Sequence, residues 1–405
     1  MTVLAVAAVS ARMLAEAARA DGFDVVGFDL FGDADTRRAC AEWLPIGRPD
    51  SLHIDVDRLL SALAALARRG DVAGWIAGSG FEGRPDLLQR GAARLPLIGT
   101  PAGAVARVRD PKTFFGFLDA EGIPHPTVRL TVPADAAGWL TKDARGCGGW
   151  HIRRLAARHF EPPFAPAGTE ADLDADADAD AHRYFQREMQ GRPMSATFIA
   201  NGSDACVLGF NRLIVRRFGA RPFVYCGAVG PVALREDMAN RIAATVRSLA
   251  AEFSLRGLGS LDFMLEGDAF GVLEINPRPP ASIALYGRTP AGARQAAWEP
   301  IASHVRACLQ GELPQRTAPG SAGSGPGTVW GTEIVFAARP LQLDEPAARC
   351  LAGRAACHDL PFGATRFRAG DPICSVSASG ADAEQVHALL ARGREAVHRS
   401  LETCP

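Results

Sequence analysis

Asp262, Glu274 and Asn276 lie within GSLDFMLEGDAFGVLEINPRPPAS, residues 259–282, at positions where their oxygens can meet. Leu261, Phe263 and Leu265 alternate with Asp262 and Met264, the turn EGD follows, and Val272, Leu273 and Ile275 lead through a second strand. Residues two apart on a strand share a face, so Glu274 and Asn276 project together while Ile275 points to the core. Depending on the turn register, Asp262 falls opposite Glu274 or diagonal to it. Two converging carboxylates repel each other unless a cation sits between them. Hard oxygen ligands of this kind suit Mg²⁺, which takes few protein ligands and completes its shell with water and phosphate oxygens; Mn²⁺ is the alternative ion. A solvent-facing polar strand would show the same alternation. PRPP argues for the metal: it follows Asn276 at once, and its prolines fix the backbone so that Arg278 is aimed from a rigid turn.

Of the 44 lysines and arginines, only Lys112 and Lys142 are lysine. A bias toward Ala, Gly, Arg and Pro explains arginine as the default surface cation, but not where lysine persists. Lysine is a compact charge on a flexible stem, able to reach a phosphate where a planar guanidinium does not fit. Lys142 follows the apolar GWL and precedes ARGCGGWHI, in which Gly146, Gly148 and Gly149 let backbone N–H groups approach an anion. Both a phosphate flap and an ordinary hairpin fit that loop. Lys112 lies in RDPKTFFGFLDAEGIPHPTV, a short amphipathic helix capped by Asp110, opened by Pro111 and ended by Gly122 and Pro124. Alone, it reads as a solvated helix charge.

These groups need a scaffold, and 405 residues with 47% hydrophobic content supply a sizeable core and two to four domains. A net charge of -1 removes the usual electrostatic case for nucleic acid or an anionic membrane. Nine scattered cysteines, without a C-x-x-C pair or a histidine cluster at zinc spacing, read as free thiols in a reducing cytosol. MTVLAVAAVSARMLAEAARA lacks a basic flank and turns directly into a helical pattern, so no secretion signal or membrane span is expected, and the protein is read as cytoplasmic.

Apolar strands TVLAVAAVS, DVVGFDLF and DVAGWIAGS alternate with helical stretches Ala11–Ala20 and Arg58–Arg69, the pattern of a parallel sheet. Ligands of such sheets gather at the carboxyl ends of the strands. Ser10, Arg12, Ser79, Gly80, Phe81 and Glu82 are therefore candidate substrate contacts, with loop filler the alternative. EADLDADADADAH, residues 170–182, is acidic and of low complexity, and LPQRTAPGSAGSGPGT reads as a flexible linker. An amphipathic helix near AEQVHALLARGREAVHRSL follows GDPICSVSASG and is expected to pack against the preceding domain.

Taken in order, an anchoring lysine, a strand-end lysine before a glycine-rich loop, a hinge like YFQREMQGRP and LDF…LEINPRP resemble the ATP-grasp superfamily. The resemblance is closest to the branch of carboxylate–amine ligases that includes the pyrrolysine-biosynthesis ligase and the tyramine–glutamate ligase of methanofuran biosynthesis. A bacterial group in that branch, associated with methanopterin-linked one-carbon metabolism, opens with a segment like VSARMLAEAARADGFDVVGFDLFGDADTR. The motifs run from Lys112 to Ser282.

This resemblance implies α/β and α+β architecture: a Rossmann-like pre-ATP-grasp domain over residues 1–103, a small lobe with the flap over 104–185, a large lobe with the metal site over 186–312, a linker over 313–330 and a carboxyl-terminal α/β extension over 331–405. It implies that Lys112 and Lys142 contact ATP phosphates, that Gly146, Gly148 and Gly149 close over them, and that Gln186, Glu188 and Met189 form the hinge that receives adenine. Asp262, Glu274 and Asn276 would ligate Mg²⁺ or Mn²⁺, and Arg278, with Lys142 the implied catalytic pair, would steady phosphate or acyl phosphate. Two positions depart from the pattern: Asp143 stands where many relatives have proline, and Met194 where several have an acidic residue near the ribose.

The implied reaction joins a carboxylate to an amine at the expense of ATP. Arg12, Asn211 and Arg212, with the GSGFEG loop, suit a small dicarboxylate, since arginine is the preferred bidentate partner of a carboxylate. The expectation is glutamate as one substrate and a methanofuran-type or methanopterin-type intermediate as the other. A biotin-carboxylase-like reaction, a phosphotransferase and a non-catalytic ATP-binding scaffold are the alternatives. No MKM carrier site occurs in the chain, and a scaffold should have lost its metal ligands. Small molecules are the expected partners, with neither nucleic acid nor membrane, and a homodimer is compatible with the reading.

Overall fold

Val3–Ala7, Asp24–Asp29 and Val72–Ala77 form where short apolar runs stand, and with Glu42–Pro45 they make a four-stranded parallel sheet. Val3–Ala7 and Asp24–Asp29 occupy its centre. Parallel strands require crossovers, supplied here by helices such as Arg12–Ala20 and Val56–Arg69. Covered on both faces, Leu4 to Ala7 are wholly buried. Glu42–Pro45 was not legible in the sequence because EWLP is too short to show a period. In the computed structural model, the described residues are 2–48, 52–155, 182–287, 298–315, 328–354 and 356–403. The acidic run of residues 170–182, apart from His182, and residues 316–327 of the linker lie outside them. Among the described residues, no helix is long and apolar enough to cross a membrane.

A second sheet carries Lys142. Its antiparallel order is Val128–Arg129, Arg183–Arg187, Trp139–Asp143, Arg153–Arg154, and the glycine-rich loop joins the last two strands. Helix Pro111–Ala120, capped as expected by Asp110 accepting from the Thr113 N–H, buries Phe114, Phe115 and Leu118.

The third sheet has eight antiparallel strands, in the order Ala269–Asn276, Arg256–Glu266, Arg192–Asn201, Ala205–Phe218, Arg221–Val232, Val329–Phe336, Pro372–Gly380, Cys357–His358. The carboxyl-terminal segment thus extends the sheet that holds the acidic hairpin. Helix Ala383–Thr403 packs on this extension, with Val386 and Leu390 against Gly331.

The parallel sheet is fixed to the large one through a buried imidazole. His304 Nδ1 accepts from the Leu258 N–H at 2.8 Å while Nε2 lies 2.9 Å from Ile98 O, which defines a neutral ring with the proton on Nε2. Burial pushes its pKa down to about 4.

Candidate active site

The acidic hairpin reaches its geometry through one extra residue. From Glu266↔Ala269 to Phe263↔Val272 the register is regular; it then shifts, and Asp262 pairs with Glu274 and Ser260 with Asn276. Without the bulge at Leu273, Asp262 would face Leu273 and Glu274 would turn to the core. The two carboxylates therefore stand directly opposite each other, with Asn276 Nδ2 3.2 Å from Asp262 Oδ2. Burial and then the Glu274 charge push Asp262 up to about 7. Burial also acts to raise Glu274, but Lys142 and Arg109 outweigh it and hold that carboxyl below its usual value. Asp262 and Glu274, each open to the cavity, offer oxygens, and rotation of the Asn276 amide adds another, a donor set that fits a divalent cation. Among the described residues, no group of three or more His, Cys, Asp or Glu side chains is placed to hold a metal ion, so the donors here are this pair and its amide.

Lys142 is buried, its Nζ 3.3 Å from Gln186 Oε1 and 5.6 Å from the Tyr184 ring centre. Burial opposes its charge, yet Tyr184 and Glu274 raise its pKa above the ordinary value. The flap beyond it is pinned: the Tyr225 N–H donates to Gly148 O at 2.9 Å and Arg221 Nε to Trp150 O at 2.9 Å. Gly149 has φ +78°, and a Cβ there would lie 1.9 Å from Phe223 O, so only glycine fits. A Cβ on Gly146 would strike the His151 ring at 2.2 Å. Cys147, within the flap, has its thiol pushed up to about 12, first by the Glu82 charge and then by burial, which keeps it protonated.

Arg109, unmarked in the sequence among so many arginines, proves to be the second cation of this region. It donates to Ala144 O at 3.1 and 2.7 Å and to Gly146 O at 2.7 Å, and lies 3.5 Å from Glu274. Its signal was its position, one residue before the Asp110 cap. Lys112 stands instead on the exposed side of helix Pro111–Ala120 and does not line the central cavity.

The cavity, about 1740 Å³, runs between the three larger sheets. Lys142, Gly148, Gly149, Gln186, Glu188 and Met189 line it, as do Asp262, Glu274, Asn276 and Arg278. Gln186 Nε2 is buried without a hydrogen-bond partner among the described residues, and Glu188 is held by Arg154 at 3.0 and 2.7 Å. Pro193 and Ser195 face the cavity, so by strand alternation Met194 is turned into the core, which removes it from any ribose contact.

Several expected substrate contacts have other duties. Ser10, Arg12 and Ser79 line the cavity, whereas Gly80, Phe81 and Glu82 do not. Phe81 is core, edge-on to Trp75. Glu82 accepts from the Gly80 N–H at 2.7 Å and from Arg278 Nε at 2.6 Å, so it positions Arg278. Arg12 is engaged by Asp359, Glu16 and Asp35. Asn211 is wholly buried, donating to Ser195 and Thr197 and accepting from Tyr286. Arg212 pairs with Glu384 outside the cavity. These three do not converge on a dicarboxylate, because each side chain is already engaged by protein partners.

Residues 110–282 match the family model of the ATP-grasp domain. The whole chain is similar to several solved structures: a Campylobacter jejuni biotin carboxylase complexed with β,γ-ATP shares 14% identity over 96% of this chain and 89% of its own, with TM-score 0.65. A Bacillus licheniformis L-amino acid ligase shares 13% over 98% and 97%, with TM-score 0.65. An Aspergillus clavatus N5-carboxyaminoimidazole synthase, complexed with ADP and an aminoimidazole ribonucleotide, shares 13% over 98% and 99%, with TM-score 0.63. No curated protein sequence matches the chain. The architecture is the ATP-grasp fold, and Lys142, the glycine flap and the acidic hairpin all fall within the matched residues.

Proposed function

We propose that the protein is an ATP-dependent ligase that joins a carboxylate to an amine and releases ADP and phosphate. The observation that carries this reading is convergence: Lys142, the flap, Asp262, Glu274, Asn276 and Arg278 face one cavity far larger than a single small substrate. In support, the three similar structures include an L-amino acid ligase and two proteins solved with nucleotides.

Lys142 and the flap N–H groups would hold the phosphates, and Gln186 Nε2 is a free donor toward the base. A divalent cation bound by Asp262, Glu274 and Asn276 would supply charge neutralisation on the phosphates. Arg278, fixed by Glu82, would steady the acid substrate as its oxygen takes the γ-phosphoryl group from ATP. The neutral amine nitrogen then forms the C–N bond, the acyl C–O bond breaks with release of phosphate, and the nitrogen sheds one proton to become the amide. No protein nucleophile enters, in keeping with the protonated Cys147 thiol.

The branch resembled in sequence includes a tyramine–glutamate ligase, so glutamate is the first acid to test and a one-carbon carrier intermediate the first amine. Purified protein with ATP, Mg²⁺, labelled glutamate and a small-molecule extract should yield a condensed product with stoichiometric ADP and phosphate. Product formed from another acid would remove glutamate and leave the ligase; nucleotide binding without ADP formation on any acid and amine would replace it with a scaffold.

A further inference from the structure

Beside the carboxyl ends of Val3–Ala7 and Asp24–Asp29, five carboxylates gather around one arginine. Four of them have donors. Asp29 accepts from the Ala11 and Gly32 N–H groups and from Trp43 Nε1 at 2.8–3.0 Å. Asp35 accepts from the Asp359 and Leu360 N–H groups. Asp359 holds Arg12 at 2.7 and 3.2 Å and accepts from Ser375, and Glu16 takes the remaining Arg12 nitrogen at 2.9 Å.

The fifth is Asp33. It precedes helix Ala34–Ala39 and its backbone carbonyl accepts from the Arg37 N–H at 2.9 Å, but its carboxylate caps nothing and accepts no hydrogen bond from any described residue; the residue is only 7% exposed and lines the cavity. A buried carboxylate without donors is costly unless something else supplies them. Arg12 cannot, since its guanidinium is already shared among Asp359, Glu16 and Asp35.

We infer that Asp33 is a subsite for a positively charged nitrogen, an ammonium group of the amine-bearing substrate. This rests on the ligase reading above and adds the chemistry of the second substrate. An ammonium brings three donors and the charge that the cluster lacks. The cavity wall includes the apolar side chains Met13, Phe31, Pro361 and Phe362, the last 62% exposed with the Arg37 guanidinium 4.4 Å from its ring centre. The carbon body of the amine would lie against this wall.

The test uses the full chain and two probes of equal shape, hexylammonium and hexan-1-ol, titrated at pH 7 by calorimetry, with Mg·ADP affinity measured on the same samples. Wild-type protein should prefer the ammonium by about ten- to hundredfold, the range of a charge-assisted contact. Asp33→Asn should abolish the preference and leave Mg·ADP affinity intact. Equal binding of the two probes by wild-type protein overturns the inference without needing a variant, as does a preference that survives in Asp33→Asn. Mg·ADP binding without ammonium preference removes the subsite and leaves the ligase; ammonium preference without Mg·ADP binding does the reverse.

Discussion

Arg109 fixes the flap from below, and its removal has a size that can be worked out. Its guanidinium satisfies the carbonyls of Ala144 and Gly146 and lies 3.5 Å from Glu274, with the side chain 10% exposed. Arg109→Ala leaves two carbonyls short of donors and subtracts a cation from Glu274. At about 1–3 kcal/mol for each carbonyl left without its donor, the flap loses roughly 2–6 kcal/mol of anchoring. Because roughly 1.4 kcal/mol is tenfold in an equilibrium constant, even the lower figure weakens nucleotide binding by about 30-fold if a closed flap is required. Arg109→Lys should fall between, since an ammonium keeps the charge without the fork that spans both carbonyls. Fluorescence titration with Mg·ADP reports the binding loss, and amide hydrogen exchange across residues 144–152 reports flap opening. An alanine variant with wild-type exchange in the flap and unchanged Mg·ADP affinity would refute the anchoring role.

Lys142→Arg keeps the charge but forces a broader head between Gln186 and Tyr184, so turnover should fall about 10²–10³-fold, the scale of one lost transition-state donor, while circular dichroism stays unchanged; wild-type kinetics would sink the phosphate role. Glu274→Gln and Asn276→Ala each subtract a metal oxygen or its charge and should raise the Mg²⁺ concentration needed for half-maximal ADP release, an effect absent if activity persists in excess chelator. For His304, the folded pKa of about 4 lies below the ordinary 6.5, so its contribution to stability is complete above pH 6.5 and is lost as pH falls toward 4. The loss approaches about 3 kcal/mol below pH 4; urea unfolding across that window should show a drop that His304→Asn flattens, and parallel slopes would refute it.

The sequence was legible where a period or a cap carries the signal. The acidic hairpin, the parallel strands of the amino-terminal sheet and the helix capped by Asp110 all announced themselves in this way. Contacts made between distant segments stayed hidden. The Leu273 bulge decides that Asp262 faces Glu274, yet a bulge is a mismatch between two strands and leaves no mark on either alone. Arg109 and Lys112 lie three residues apart, and choosing between them by residue type favours the scarce lysine; in the fold the arginine reaches the site while the lysine faces solvent. Glu82 stood in a loop suited to ligands, and its role emerged only once Arg278, 196 residues later, lay against it.

The charges gathered around the cavity account for why these parts must act together. Lys142, Arg109 and Arg278 face Glu82, Asp262 and Glu274, three cations against three carboxylates. The pairs are not equally strong: Glu82 holds Arg278 at 2.6 Å, and Glu274 is flanked by two cations, whereas Asp262 has Arg278 and Lys142 only as secondary influences after burial and Glu274. A divalent cation alone relieves Asp262 but leaves the balanced set with excess positive charge; a nucleotide alone leaves it with excess negative charge in a partly desolvated cleft. Nucleotide with its metal leaves less net charge than nucleotide alone, because the divalent cation cancels part of the phosphate charge. The side chains that select a metal and those that select a phosphate are therefore one electrostatic unit, and losing either half should weaken the binding of both ligands.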